Sequence, residues 1–120
     1  MVKTVEILGT KYKVYVDVPL SKDPALAGKF GYCSFLDHRI VVVDLNTVDN
    51  WKDESEEVKI RQKRGTIRHE IIHAFLAESG LWGSSTTVEP WALNEEMVDW
   101  FALQTPKIFK VFEQLGCTGV

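Results

Sequence analysis

Residues 69–73 read His-Glu-Ile-Ile-His, and a histidine pair at this spacing restricts its segment more than any other feature of the chain. On a helix, four residues rise about 6 Å and come back to nearly the same angle, so His69 and His73 point the same way. Glu70 lies roughly 100° around the axis from His69. Ile71, Ile72, Ala74, Phe75 and Leu76 make the segment apolar almost all round, which predicts a buried helix. A surface helix with an incidental His-Glu-His stretch is the plain alternative, and the apolar context argues against it. Two imidazoles and a carboxylate in a buried helix need partners, because burying them unpaired is costly. One metal ion answers that need. Both imidazoles reach it, and Glu70 stands beside the open position, where it can take a proton from water. The segment therefore predicts a metal centre, with one zinc ion as the cofactor, and Glu70 as the catalytic base.

Around this helix the chain reads as α+β. Residues 5–8 and 12–18 suggest a β-hairpin about Gly9-Thr10, and residues 31–35 and 39–45 a second pair joined across Asp37-His38. Ile40-Val41-Val42-Val43 is β-branched throughout, the strongest strand signal, and is expected at or near a sheet edge beside the active-site helix. Asp53, with Glu56 three residues on, suggests the cap of a helix running from about 54 to 79, closed by Gly80. Gly65, one turn before His69, marks a kink, a close backbone approach or a tolerated helix glycine. A second helix is expected from Pro90 to about Gln104, with Thr86 or Thr87 as its cap. Thr105-Pro106 signals a third, C-terminal helix over residues 106–115. With 120 residues, 45% hydrophobic and 26% charged, the chain fits one domain, residues 1–120, with a core of its own.

A catalytic zinc takes three protein ligands. Beyond His69 and His73 the only further histidine is His38. Residues 94–99 read Asn-Glu-Glu-Met-Val-Asp, so Glu95 and Asp99 share a helix face. Glu95 can bind the metal while Asp99 accepts the second N–H of a ligating histidine and fixes its tautomer. Glu96 is the rival ligand, and an acidic helix start that merely complements the dipole is the bland reading.

HEIIH followed by NEEMVD resembles the gluzincin arrangement, HExxH followed by NExxxD on the next helix. The resemblance implies Glu95 as third ligand and Asp99 behind it. The chain is also similar to the small zincin-like proteins of phages and mobile elements, including the ImmA/IrrE-type metallopeptidases, through Glu95-x-x-Val98-x-x-Phe101-Ala102. These likenesses cover residues 30–104. They imply a minimal zincin-like fold, a small antiparallel or mixed sheet on the HExxH helix, then a glutamate helix and a C-terminal helix.

The implied activity is a zinc metallopeptidase that hydrolyses peptide bonds with a water activated by Glu70. A peptide or protein substrate is expected along the strand from Arg39 to Leu45, with His38 and Tyr32 as polar candidates near the oxyanion. The alternative is a zinc-stabilised binding or regulatory module that cleaves nothing efficiently. The absence at this length of a separate domain to wall the cleft favours it. A metal-dependent nuclease fits less well. The net charge is 14 − 17 = −3, and Lys59, Arg61, Lys63, Arg64 and Arg68 alternate with acids as on a solvated helix face carrying pairs such as Glu57–Arg61, so no nucleic-acid partner is expected. Residues 1–8 lack the apolar core of a signal peptide and no stretch reaches membrane length, which predicts an intracellular, cytoplasmic protein with no membrane contact. Cys33 and Cys117 then read as free thiols. Glu78 is expected to face solvent. Trp82, Trp91, Trp100 and Phe101 are expected in the core or as a hydrophobic wall.

Overall fold

The computed structural model describes residues 2–82 and 90–119. Thr86 and Thr87, the expected helix cap, lie outside the described residues. Four strands, β1 (Val2–Ile7), β2 (Thr10–Val18), β3 (Gly31–Ser34) and β4 (Arg39–Val43), form a mixed sheet in the order β1-β2-β4-β3. β1 and β2 are antiparallel, β2 and β4 parallel, β4 and β3 antiparallel. Two long helices follow, α1 (Glu56–Leu76) and α2 (Glu95–Gln114). The α+β expectation and the mixed sheet are both present. No helix among the described residues is long and apolar enough to cross a membrane.

β4 is an inner strand, not an edge. Ile40, Val41, Val42 and Val43 are all buried because both sheet faces are covered. Ile40 and Val42 join Tyr12, Val14, Val16 and Ala74 of α1 in one cluster. Val41 and Val43 join Leu26 and Leu45 in another, under the segments before β3 and after β4. A β-branched run that does not alternate with polar residues is the signature of a strand buried on both faces. With β2 on one side and β3 on the other, the expected strand from Arg39 to Leu45 has no free edge for a peptide. The edge beside α1 belongs to β3.

β3 lies close under α1 because residue 31 is glycine. A Cβ there would sit 2.7 Å from the Val41 carbonyl oxygen and 3.0 Å from Thr66 Cγ2 of α1. Asp17, at φ 56° beside a shift in the β2–β4 register, turns its carboxylate to Lys63 Nζ at 2.8 Å and ties the sheet to α1 a second time.

α1 begins at Ser55, whose Oγ accepts from the Val58 amide, and not at Asp53. It leaves through a wide turn, Ala77–Leu81, in which Gly80 takes φ 89°, the left-handed conformation expected of a glycine closing a helix. The expectation of burial all round is corrected. Phe75 is 42% exposed, and the buried positions are Lys59, Thr66, Glu70, His73 and Ala74. Lys59, Thr66 and His73 each have a hydrogen-bond partner and Glu70 lies 4.0 Å from His69, so the helix buries a polar face instead of a greasy one. Lys59, expected at the surface, donates to Asn46 Oδ1 and the Lys52 carbonyl, both at 2.7 Å.

α2 is one helix where two were expected. It starts at Glu95, not Pro90, and passes through Pro106 without a break. Proline 106 has no N–H to give the carbonyl of Ala102 one turn back. Arg68 of α1 supplies that bond instead, its Nε lying 2.7 Å from Ala102 O. The lost intrahelical bond thus becomes a bond between helices.

Candidate metal centre

The local sequence places each site residue. Asn94 caps α2, its side chain accepting from the Met97 amide at 2.9 Å, so Glu95 falls at the first helical position and its side chain extends back over α1. Val98 and Ala102, both buried on the next turns, seat α2 against α1. Glu95 Oε1 then lies 2.6 Å from His73 Nε2, and Oε2 lies 3.7 Å from His69 Nε2. Asp99, one turn further on, puts Oδ1 2.6 Å from His69 Nδ1. His73 Nδ1 has a partner the sequence did not reveal, the Ala92 carbonyl oxygen at 2.5 Å.

These contacts decide what the rings can do. A carboxylate and a carbonyl oxygen only accept, so each Nδ1 carries a proton toward its partner. The two Nε2 atoms stand 3.0 Å apart, with the Glu95 oxygens beside them. Both Nδ1 atoms and His73 Nε2 thus face oxygen acceptors, and a proton shared with Glu95 or a bound cation would satisfy them. Ligand atoms on one tetrahedral zinc lie roughly 3.3 Å from each other; the separations here run from 2.6 Å for His73 to Glu95, through 3.0 Å between the rings, to 3.7 Å for His69 to Glu95. His69, Glu70 and His73 also form a group that can hold a metal ion, with ligand atoms within 4.8 Å of one another.

Glu70 is buried, with Oε2 4.0 Å from His69 Nε2. Burial pushes its carboxyl up to about 7. The His69 ring and the Lys29 ammonium oppose that rise, while Glu95 and Asp99 add to it. A carboxyl poised near neutrality can both accept and return a proton. The Glu95 and Asp99 side chains are 68% and 70% exposed, so solvent reaches the centre from the α2 side. A cleft of about 630 Å³ runs from there along α1. The 29–31 segment forms one wall, α1 from Gln62 to Glu70 the floor, and α2 from Glu95 to Leu103 the other wall.

The remaining expected site residues lie elsewhere. Glu96 makes no contact with either histidine among the described residues. Tyr32 sits on the sheet face away from α1 and donates its hydroxyl to Asp23 at 2.5 Å. His38, in the β3–β4 turn at φ 54°, packs its ring on Tyr12. Neither is placed to meet an oxyanion at the histidines. Register explains Tyr32: it pairs with Val41, and both point to the second cluster. Glu78 does not face solvent freely. It accepts from Thr10 Oγ1 and from the buried Tyr12 hydroxyl, both at 2.7 Å, and these bonds hold its carboxyl below the ordinary value. Both cysteines are free thiols, and burial, with the charges of Glu70 and Glu78, pushes Cys33 up to about 12. Trp91 and Trp100 are more than half exposed and so are not core. Trp82 packs edge-on against Phe35, whose ring centre is 6.5 Å from that of His73. Phe35 is the aromatic neighbour of the site, and the sequence carries no signal for it.

No protein-family model, curated protein or solved structure matches the chain.

Proposed function

We propose that the chain is a zinc-dependent peptidase in which His69, His73 and Glu95 hold one zinc ion and Glu70 is the general base. The observation that carries this reading is the convergence of both Nε2 atoms on Glu95, with a buried Glu70 at 4.0 Å, at the end of an open cleft. Glu95 is the third ligand on this reading because it reaches across from α2 to both rings. Glu70 lies to the side, where a base is needed. Zinc, when bound, polarises a carbonyl and makes water a nucleophile near neutral pH. Glu70 takes the proton of the attacking water as its oxygen adds to the peptide carbon. It returns that proton to the leaving nitrogen as the C–N bond breaks. Asp99 and the Ala92 carbonyl hold the imidazoles in the tautomer that frees Nε2. The substrate lies against β3, the free sheet edge next to α1, by strand addition.

The second reading, a zinc-stabilised binding module, draws on the way the site ties α1 to α2 through His69–Asp99 and His73–Glu95. One experiment separates the two. Zinc-loaded wild type and Glu70→Gln are incubated with a mixed peptide library and cleavage is followed by mass spectrometry. On the peptidase reading the variant keeps its zinc and loses activity by about 10²–10⁴-fold. Undiminished turnover in Glu70→Gln removes Glu70 as base, and no cleavage by either protein leaves the binding module as the better account.

A further inference from the structure

The cleft carries two cations that the metal centre does not use. The Arg68 guanidinium is half-buried and anchored through Nε to Ala102 O at 2.7 Å. Lys29 stands on the opposite wall. Neither forms an ion pair with a carboxylate among the described residues, and the Lys29 charge acts on Glu70 only from a distance. The three carboxylates that line the same cleft, Glu70, Glu95 and Asp99, are gathered at the histidine end. Ala102 is three residues beyond Asp99 on α2, roughly 4.5 Å of helix rise. On α1, Arg68 directly precedes His69, so a cation and the histidine end of the cleft are neighbours along the same wall.

Gly65 lines this end of the cleft. A Cβ added there meets only the Arg68 guanidinium, at 3.9 Å. Phe30 and Leu103, 37% and 59% exposed, flank the space with apolar surface.

We propose that the end of the cleft between Arg68, Lys29 and Gly65 is a carboxylate-recognising subsite, so that the substrate is a peptide bearing an acidic group on the residue next to the bond held at the metal centre. The guanidinium offers its terminal N–H groups to the carboxylate in fork geometry, with its orientation already set by the Ala102 bond. Lys29, on a flexible stem, closes on the same group from the other side. The acidic group is either a Glu or Asp side chain or a free C-terminus, which present the same two oxygens.

This inference rests on the peptidase reading for the direction of the substrate, but its test does not depend on turnover. Zinc-loaded Glu70→Gln protein is titrated calorimetrically with matched peptides. One pair has a central Glu or Gln, both C-terminally amidated. A second pair consists of the Gln peptide with a free or an amidated C-terminus. The acidic member of at least one pair is expected to bind on the order of tenfold or more tighter, as a charge-assisted contact implies. The pair that shows the preference identifies the source of the carboxylate.

Gly65→Asp, in the same background, places a carboxylate against Arg68 from within the chain. It is expected to keep its helix content and its zinc per chain while losing the preference. Lys29→Gln, at an exposed position, is expected to reduce it severalfold. Equal binding within both pairs, no binding of any peptide, or an undiminished preference in a folded Gly65→Asp protein overturns the subsite. Acid-selective binding without cleavage by wild type leaves the subsite standing and removes the peptidase reading alone.

Discussion

At the scale of single residues, the site is a set of acceptors arranged about two histidines. Its chemistry follows from which atom each partner leaves free. Asp99 and Ala92 accept from the two Nδ1 atoms, and both Nε2 atoms face Glu95. Glu95→Ala is expected to lose most of the bound zinc, and Glu96→Ala to keep it, as read by metal content per chain. Equal loss in both refutes the ligand assignment.

Glu70 makes a separate prediction in metal-free protein. Its folded carboxyl titrates near 7 against an ordinary value of 4.5. Below pH 4.5 both folded and unfolded chains hold the proton and burial of this charge costs nothing. As pH rises, the unfolded chain ionises first, so stability falls until about pH 7 and is level above it. The loss is about 3 kcal/mol at its limit. Glu70→Gln has no such group, so urea titrations in chelator should show wild type losing stability relative to the variant between pH 4.5 and 7. Parallel pH profiles would rule this out.

At the scale of elements, α1 is held on three sides by polar contacts and one close approach. Lys63 reaches Asp17 of β2, Arg68 reaches α2, and Thr66 touches Gly31 of β3. Gly31→Ala drives a methyl group to 2.7 Å from the Val41 carbonyl, where neither backbone nor helix can yield freely. A destabilisation of about 1–3 kcal/mol is expected from thermal unfolding. An unchanged melting temperature shows that α1 and β3 are not packed this closely.

The same elements show what was readable beforehand. The β2 alternation and the β-branched run of β4 were visible as strands because side-chain period is a local property. The HExxH helix was visible for the same reason. Pro106 misled because its usual effect, a helix break, depends on whether something else satisfies the freed carbonyl. Arg68 does so from 34 residues away, and no window of sequence contains both.

At the scale of the whole molecule, the radius of gyration is 15.4 Å, above the roughly 13.6 Å of a compact domain of this length. Phe109, Val111, Phe112 and Leu115, at the distal end of α2, are 45–73% exposed. His69–Asp99 and His73–Glu95 join α1 to the proximal half of α2 beside the buried Val98 and Ala102, so on the zinc reading a bound ion adds to the stability of that contact. Zinc at a hundredfold excess over its dissociation constant is expected to add about 2.7 kcal/mol. For a chain of this length that corresponds to a rise of roughly 11 °C in melting temperature, reversed by chelator. A melting temperature indifferent to zinc counts against the centre itself.

The sequence by itself determined that His69 and His73 share one helix face and that Glu95 and Asp99 share another, because helical periodicity alone aligns them. The tertiary structure alone decided that Glu95 and not Glu96 meets the histidines, since that depends on how Asn94 caps α2 and how α2 packs on α1. It also decided that Tyr32 and His38 stand apart from the centre, that β3 and not β4 offers an edge, and that Ala92 and Arg68 serve it through contacts with backbone. Contacts of that kind leave no trace in residue type: a carbonyl oxygen is the same on every residue, and only the fold determines which one faces a histidine.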